Sequence, residues 1–185
     1  ALTRAALGHL WFESIHPFLD GNGRLGRLLV TFLLCAEGVL QDPLLYLSLY
    51  FKMNRSAYYE HLQRVRLNGE WREWILFFLE GIRHTSQQGF ETARTLVEVT
   101  ERHRKSIGTA GRRAGSMLQI YEIMRTHPVI SSRELNRLAS LSAPAVGAAV
   151  RELIQLDLVK EITGKKRDRI FVYDSYLRIL GEGPG

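Results

Sequence analysis

The chain has 185 residues, of which 45% are apolar and 24% are charged, as expected for a globular protein of one or two domains. No apolar run approaches the roughly 18 residues of a membrane span, and no segment has the pattern of a secretory signal. We therefore expect no membrane partner. The single cysteine, Cys35, cannot form an internal disulfide, which fits the reducing cytoplasm as the expected location.

The net charge of +6 is concentrated in the C-terminal part of the chain. Residues 1–101 hold 10 Lys and Arg against 11 Asp and Glu, whereas residues 102–185 hold 15 against 8. This excess of cations favours an anionic partner for the C-terminal part, such as nucleic acid, while a plain solvated surface stays open.

Apolar periodicity predicts that the first hundred residues are helical. The first predicted helix carries apolar residues on a wide face and needs neighbours on several sides, so we expect further sequence before Ala1. In the second helix, Leu25, Leu28 and Leu29 are expected on the buried side. The predicted helices cover residues 2–15, 24–37, 46–67 (broken near Asn54) and 70–106 (one long helix or two stacked ones).

The pattern changes after a glycine-rich stretch, residues 108–115, which we interpret as a linker. Three short helices then precede two strands joined by a charged turn, an order that resembles a winged helix-turn-helix. The expected fold is mainly α, a helical bundle followed by a small α+β domain. The predicted parts are a catalytic core over 1–107, the linker over 108–115 and the winged helix over 116–185.

A glycine-rich, cationic loop separates the first two predicted helices. Gly21, Asn22 and Gly23 are residue types that reach positive φ at low cost, so the run can turn backbone N–H groups inward to bind an anion. The helix that follows adds its positive N-terminal end. Arg24 and Arg27 are three residues apart and share a face. The combination suits a polyphosphate.

Two further side chains indicate that the loop can bind a metal ion and accept a proton. Asp20 would repel phosphates unless a cation lay between them, and Mg²⁺ commonly binds one or two carboxylates together with phosphate oxygens. His16, at the end of the preceding helix, can accept a proton from an incoming hydroxyl. Pro17 ends that helix, and we expect Phe18 to point into the core and pin the loop.

This order of residues resembles the Fic family, whose motif is His-x-Phe-x-Asp/Glu-Gly-Asn-Gly-Arg-x-x-Arg. Residues 16–27 read HPFLDGNGRLGR and match every specified position. Segments 45–82 and 171–180 resemble the Fic subgroup that carries a C-terminal winged helix. The resemblance implies a Fic-type helical bundle and transfer of AMP from ATP to a Ser, Thr or Tyr hydroxyl of a target protein, with release of pyrophosphate.

The resemblance also implies roles for the motif residues. His16 is the expected general base, and Asp20 is expected to hold Mg²⁺ between the α- and β-phosphates. Arg24 and Arg27 are expected to neutralise the leaving phosphates. The backbone cradle is assigned to Gly21, Asn22 and Gly23, with Gly26 counted among the phosphate-binding residues.

The roles of residues outside the motif are less well defined by the sequence. Tyr58 and Tyr59 fall where Fic proteins have aromatic residues near the nucleoside, and packing into the helical core is an equal alternative. Arg66 and Asn68 are candidates for the rim of the same pocket. Glu13 is a candidate for bonding to the loop backbone, and His9 is expected to be packed.

Two regulatory parts of Fic proteins have no match in this sequence. No segment fits the inhibitory pattern Ser/Thr-x-x-x-Glu-Gly/Asn, since residues 56–61 read SAYYEH. The β-hairpin flap that aligns the target is not recognisable either. We expect both before residue 1, and a longer native protein or a partner chain could supply them.

The partners and the reaction leave alternatives open. The target could be the protein itself, and a homodimer is conceivable. The basic turn, residues 164–169, favours phosphate contact with DNA, whereas small side chains on the third short helix favour protein docking. The main functional alternatives are a nucleotide-sensing DNA-binding regulator, a Fic enzyme with another donor, and an enzyme that removes AMP.

Overall fold

The computed structural model describes residues 1–43, 45–165 and 167–182. It divides the chain into two compact units, Ala1–Phe90 and Glu91–Gly185, named here the N-terminal and C-terminal units. The structure is mainly helical with one small antiparallel sheet, which confirms the predicted fold class. Within the described ranges, no helix combines the length and apolarity that a bilayer crossing needs.

Over its described residues, the N-terminal unit is built by five helices. Trp74 and Phe78 lie at the centre of its core and are fully buried, and the Trp74 indole N–H donates to the Ala6 carbonyl at 3.0 Å. The predicted break near Asn54 is present. Of the two alternatives for the last helix, one long helix is observed and not two stacked ones. The helices are α1 (Leu2–Ile15), α2 (Asn22–Ala36), α3 (Leu47–Met53), α4 (Arg55–Asn68) and α5 (Trp71–Gly108), which continues into the C-terminal unit.

The buried face of α2 differs from the predicted one. Leu25 and Leu28 are 40% and 45% exposed, so the prediction that they are buried is wrong. The buried positions include Gly26, Val30 and Leu34, which follow one another at intervals of four residues. Gly26 decides which face turns inward, because a residue without a side chain lets α2 approach α1 closely.

The C-terminal unit has the element order of a winged helix-turn-helix: helix, strand, two helices, and two hairpin strands. Its sheet has the order β1-β3-β2 and is antiparallel throughout. A final helix follows the hairpin. The elements are α6 (Ala114–Thr126), β1 (Val129–Ser131), α7 (Ser132–Leu138), α8 (Ala143–Gln155), β2 (Lys160–Glu161), β3 (Ile170–Val172) and α9 (Asp174–Glu182).

Two of these elements were not anticipated from the sequence. Strand β1 has three residues, too few for a pattern of alternation, and exists because it pairs with β3 through Ile130 and Phe171. Helix α9 was not predicted at all. The predicted linker 108–115 contains the end of α5, a 3₁₀ turn at Gly111–Arg113 and the start of α6. The predicted boundaries of the functional domains stay a prediction, and Lys166 and residues 183–185 lie outside the described residues.

Candidate active site

A cavity of about 560 Å³ opens in the N-terminal unit beside the glycine-rich loop, a size typical of small-molecule sites. Helices α1, α2 and α4 each contribute side chains to its wall. The wall therefore combines cations, a carboxyl group, an imidazole and aromatic rings. The lining residues are Glu13, His16, Gly23, Arg27, Tyr58, Tyr59, Leu62, Gln63, Arg66 and Leu67.

His16 stands at the point where α1 ends. Its backbone has a left-handed conformation (φ 49°, ψ 57°), and its N–H donates to the Phe12 carbonyl at 3.0 Å. Such a conformation is uncommon for a residue with a side chain and tends to occur at functional positions. The side chain is exposed and lines the cavity, so an incoming hydroxyl can reach it.

The loop between α1 and α2 is held by Asn22. Its carboxamide oxygen accepts from the Phe18 N–H at 3.0 Å, and its Nδ2 donates to the Phe18 carbonyl at 2.5 Å. The Phe18 side chain is 51% exposed, so the prediction that it pins the loop from the core is wrong. The buried Asn22 side chain does so instead, which leaves its backbone N–H for the cradle.

The N-terminus of α2 presents backbone donors beside His16. Gly21 precedes the helix with φ 82°, a value that glycine adopts without strain. The first intrahelical bond runs from the Leu25 N–H to the Gly21 carbonyl at 3.0 Å. The N–H groups of Asn22, Gly23 and Arg24 therefore have no partner within the helix, and the helix dipole makes this end attractive to anions.

The two motif arginines take different places at this end. Arg27 is half-buried, lines the cavity and donates from Nε to the Ser48 hydroxyl at 3.0 Å. Arg24 is exposed and lines a neighbouring cavity of about 270 Å³, whose wall also includes Arg27. Arg27 therefore connects the two cavities, and the cations cover both sides of the α2 N-terminus.

Asp20 lies directly before the cradle. Its carboxylate is exposed, and Oδ1 accepts from the Gly21 N–H at 2.6 Å. No group of three or more His, Cys, Asp or Glu side chains that could hold a metal occurs in the part of the chain the structure describes. A single carboxylate beside a helix N-terminus nevertheless fits Mg²⁺, because this ion can complete its octahedron with phosphate oxygens and water.

Tyr58 and Tyr59 both line the cavity, with different burial. Tyr58 is 5% exposed, and its hydroxyl is 2.9 Å from Nε2 of the buried His9. Burial raises the pKa of Tyr58 above its ordinary value, with the Glu13 charge adding to the effect, so the phenol stays protonated. Tyr59 is 55% exposed, and its ring lies 5.7 Å from the Arg55 guanidinium carbon.

Gly26 occupies a packing position and is not part of the cavity wall. A Cβ there would lie 2.7 Å from Glu13 Oε1 and 3.1 Å from two atoms of the His9 ring. The glycine therefore makes room for two buried polar side chains of α1. Whether Gly26 also influences phosphate binding stays a prediction.

Sequence reasoning undervalued the inner side of α1. Glu13 is buried, its Oε1 has no hydrogen-bond partner among the described residues, and burial raises the pKa of its carboxyl. Arg66 reaches across from α4 and donates to the Glu13 carbonyl at 2.8 Å. The available signal was the spacing of His9, Glu13 and His16, which places all three on one face of a helix.

Comparison with known proteins agrees with the motif. Residues 1–34 match the family model described as the Fic/DOC family. Over 76 residues the chain is 38% identical to the protein adenylyltransferases Fic of Drosophila grimshawi, Drosophila erecta and Drosophila melanogaster. These matches cover 41% of this chain and only 14% of each relative's length.

A solved structure is also similar to this chain. A Fic family protein from Desulfovibrio desulfuricans G20 is 20% identical to it, with a TM-score of 0.48. The comparison covers 93% of this chain and 49% of that one.

Proposed function

Because residues 1–34 match the model of the Fic/DOC family, we propose that the chain belongs to this family and is part of a protein adenylyltransferase. The enzyme transfers AMP from ATP to a Ser, Thr or Tyr hydroxyl of a target protein and releases pyrophosphate. One observation carries the proposal: His16, the start of α2 and Arg27 border the same 560 Å³ cavity. Three positions of the motif, His16, Gly23 and Arg27, therefore face one space, in which we expect the nucleotide to bind.

The phosphates of ATP fit the start of α2. The N–H groups of Asn22, Gly23 and Arg24 provide donors that the helix itself does not use. Arg27 adds a guanidinium on the cavity side, and Arg24 adds one on the neighbouring side. Phosphoryl chemistry depends mainly on positioning and on stabilising charge, and these groups supply both.

In the proposed reaction His16 acts as the general base. The target hydroxyl attacks the α-phosphorus and its proton passes to the His16 imidazole. A new O–P bond forms to the hydroxyl oxygen, while the bond from the α-phosphorus to the bridging oxygen breaks. That electron pair leaves with pyrophosphate, whose growing charge falls among the arginines and the helix N-terminus.

Asp20 is the residue that would hold Mg²⁺. When bound, the ion would supply charge neutralisation at the phosphates. Asp20 meanwhile accepts the Gly21 N–H, which fixes its carboxylate at the start of the cradle.

The nucleoside fits the part of the cavity formed by α4. Tyr59 offers an exposed ring face and Tyr58 a protonated hydroxyl, so one stacks and the other donates or accepts. Backbone donors read phosphates and not bases, so UTP and GTP remain alternative donors, and removal of AMP remains an alternative direction.

The test is incubation of the chain with Mg²⁺ and either α-labelled or γ-labelled ATP, alone and with a cell lysate. We expect protein-bound α-label that requires the chain, and no γ-label above that of the lysate alone. Protein-bound γ-label that requires the chain would indicate kinase chemistry, and labelling only from α-labelled UTP or GTP would change the donor. Absence of label from every donor would contradict the proposal.

A further inference from the structure

The C-terminal unit carries exposed cations that are not neutralised. Half of its arginines are in ion pairs, such as Arg113 with Glu152 and Arg125 with Glu122. A second group has no carboxylate within 4 Å among the described residues. It consists of Arg133, Arg151, Lys165, Arg167 and Arg169, all exposed, and is named here the cation patch.

One carboxylate, Asp168, lies between Arg167 and Arg169 in the turn and reduces the net charge of the patch from +5 to +4. Two other carboxylates of the same elements are engaged in other contacts. Glu134 forms a two-pronged pair with Arg137. Glu161 accepts the N–H groups of Thr163 and Gly164 at 2.7 and 3.0 Å. These bonds hold both carboxylates in place, so the patch keeps its positive charge.

The patch is continuous across three elements. The Ser132 N–H at the start of α7 donates to the Arg169 carbonyl at 2.7 Å, which places Arg133 next to the hairpin. Arg169 Nε donates to the Lys165 carbonyl at 2.9 Å. Arg151 of α8 and Arg169 line the same groove of about 210 Å³, together with Asn136 and Ser132.

Helix α8 is shaped for close approach to a large partner. Its first two turns expose or half-expose small residues, namely Ala143, Pro144, Gly147 and Ala148. A Cβ on Gly147 would lie 3.6 Å from Arg151 Nη1, so the guanidinium lies back along the helix surface. Base-reading helices carry Arg, Asn or Gln in these turns, and this one does not.

We propose that the cation patch binds double-stranded DNA through its phosphates without reading the base sequence. Unneutralised charges spread over a helix pair and a hairpin match a linear polyanion that crosses all three elements. Small side chains at the start of α8 let the duplex backbone come near without offering contacts to specific bases. An acidic peptide is the competing partner and is an outcome of the test below. The proposal is independent of nucleotidyl transfer.

The test measures fluorescence anisotropy of a labelled 25-base-pair duplex of random sequence with the full chain between 50 and 200 mM NaCl. Each phosphate contact contributes about 0.9 to the slope of log K against log salt. We expect the double variant Arg151→Gln/Arg169→Gln to lower this slope by about 2. The matched control is Arg125→Gln/Arg178→Gln, which removes the same formal charge from residues already in ion pairs. Their partners Glu122 and Asp174 each keep a second cation, Arg104 and Lys160.

The control should keep the wild-type slope to within about half a unit, because its guanidinium groups are already engaged. Circular dichroism of both variants checks that the unit remains folded. No binding at 50 mM NaCl, or an equal loss in the two variants, would overturn the proposal. Displacement of the duplex by an equal charge concentration of poly-glutamate would assign the patch to acidic peptides instead.

Discussion

At the scale of single residues, the site depends on a histidine that performs no chemistry. His9 is fully buried and holds the Tyr58 hydroxyl at 2.9 Å, so it fixes one wall of the cavity. Burial, with a smaller contribution from the nearby charge of Arg27, lowers the pKa of His9 to about 4. His9 is therefore neutral in the folded protein at neutral pH, and the Tyr58 hydroxyl keeps an uncharged hydrogen-bond partner.

This shift predicts how stability depends on pH. The unfolded chain takes up a proton at His9 below pH 6.5, whereas the folded chain does so only near pH 4. Stability is therefore lost as the pH falls between these values and not above them. Between pH 7.5 and 5 the loss from His9 should be about 2 kcal/mol.

The measurement is urea unfolding of the wild type and His9→Gln at both pH values, followed by tryptophan fluorescence. All three tryptophans, Trp11, Trp71 and Trp74, lie in the N-terminal unit. Because Glu13 titrates in both proteins, its effect cancels in the comparison. If the two proteins lost equal stability on acidification, His9 would not be the titrating group.

At the scale of elements, the contact between α1 and α2 sets the position of His16 relative to the start of α2. Helix α1 supplies His16 at its end and α2 supplies the donors at its start. Gly26 lets the two approach, since a side chain there would meet Glu13 and His9. The distance between base and cradle is thus set by one glycine inside a helix.

Two glycine-to-alanine substitutions should therefore have opposite effects. Gly26→Ala inserts a methyl group against buried atoms and should destabilise the unit by about 1–3 kcal/mol. Gly89→Ala, at an exposed position of α5 with open space around it, should stabilise by up to about 1 kcal/mol. Urea unfolding followed by tryptophan fluorescence gives both values. Stabilisation by both substitutions would mean that the α1–α2 contact has room for an added methyl group at position 26.

Sequence periodicity was sufficient for most helices and for the break near Asn54, because these follow from local patterns and capping glycines. It failed for the inner face of α2, where Gly26 and not the leucines faces α1. It also failed for β1, whose three residues form a strand only through pairing with β3. The motif itself could be read from the sequence, whereas its support by His9 and Glu13 depends on contacts between helices.

At the scale of the whole molecule, each unit carries its own surface that we propose binds an anion. The N-terminal unit has the cavity beside the start of α2, and the C-terminal unit has the cation patch. The chain spans 14% of the length of the curated relatives it matches. The activity of those relatives is therefore only a proposal for this chain until it is measured. The two surfaces can be tested separately, since no residue belongs to both.

The most direct test of the account follows α-label transfer and ATP binding in the same preparations of wild type and His16→Ala. We expect the alanine variant to bind ATP with an affinity within about threefold of wild type, measured by titration calorimetry in Mg²⁺. Its transfer rate should fall by about 10²–10⁴-fold, because the general base is removed while the cradle remains. Transfer at the wild-type rate by His16→Ala would contradict the assignment of His16 and the mechanism built on it.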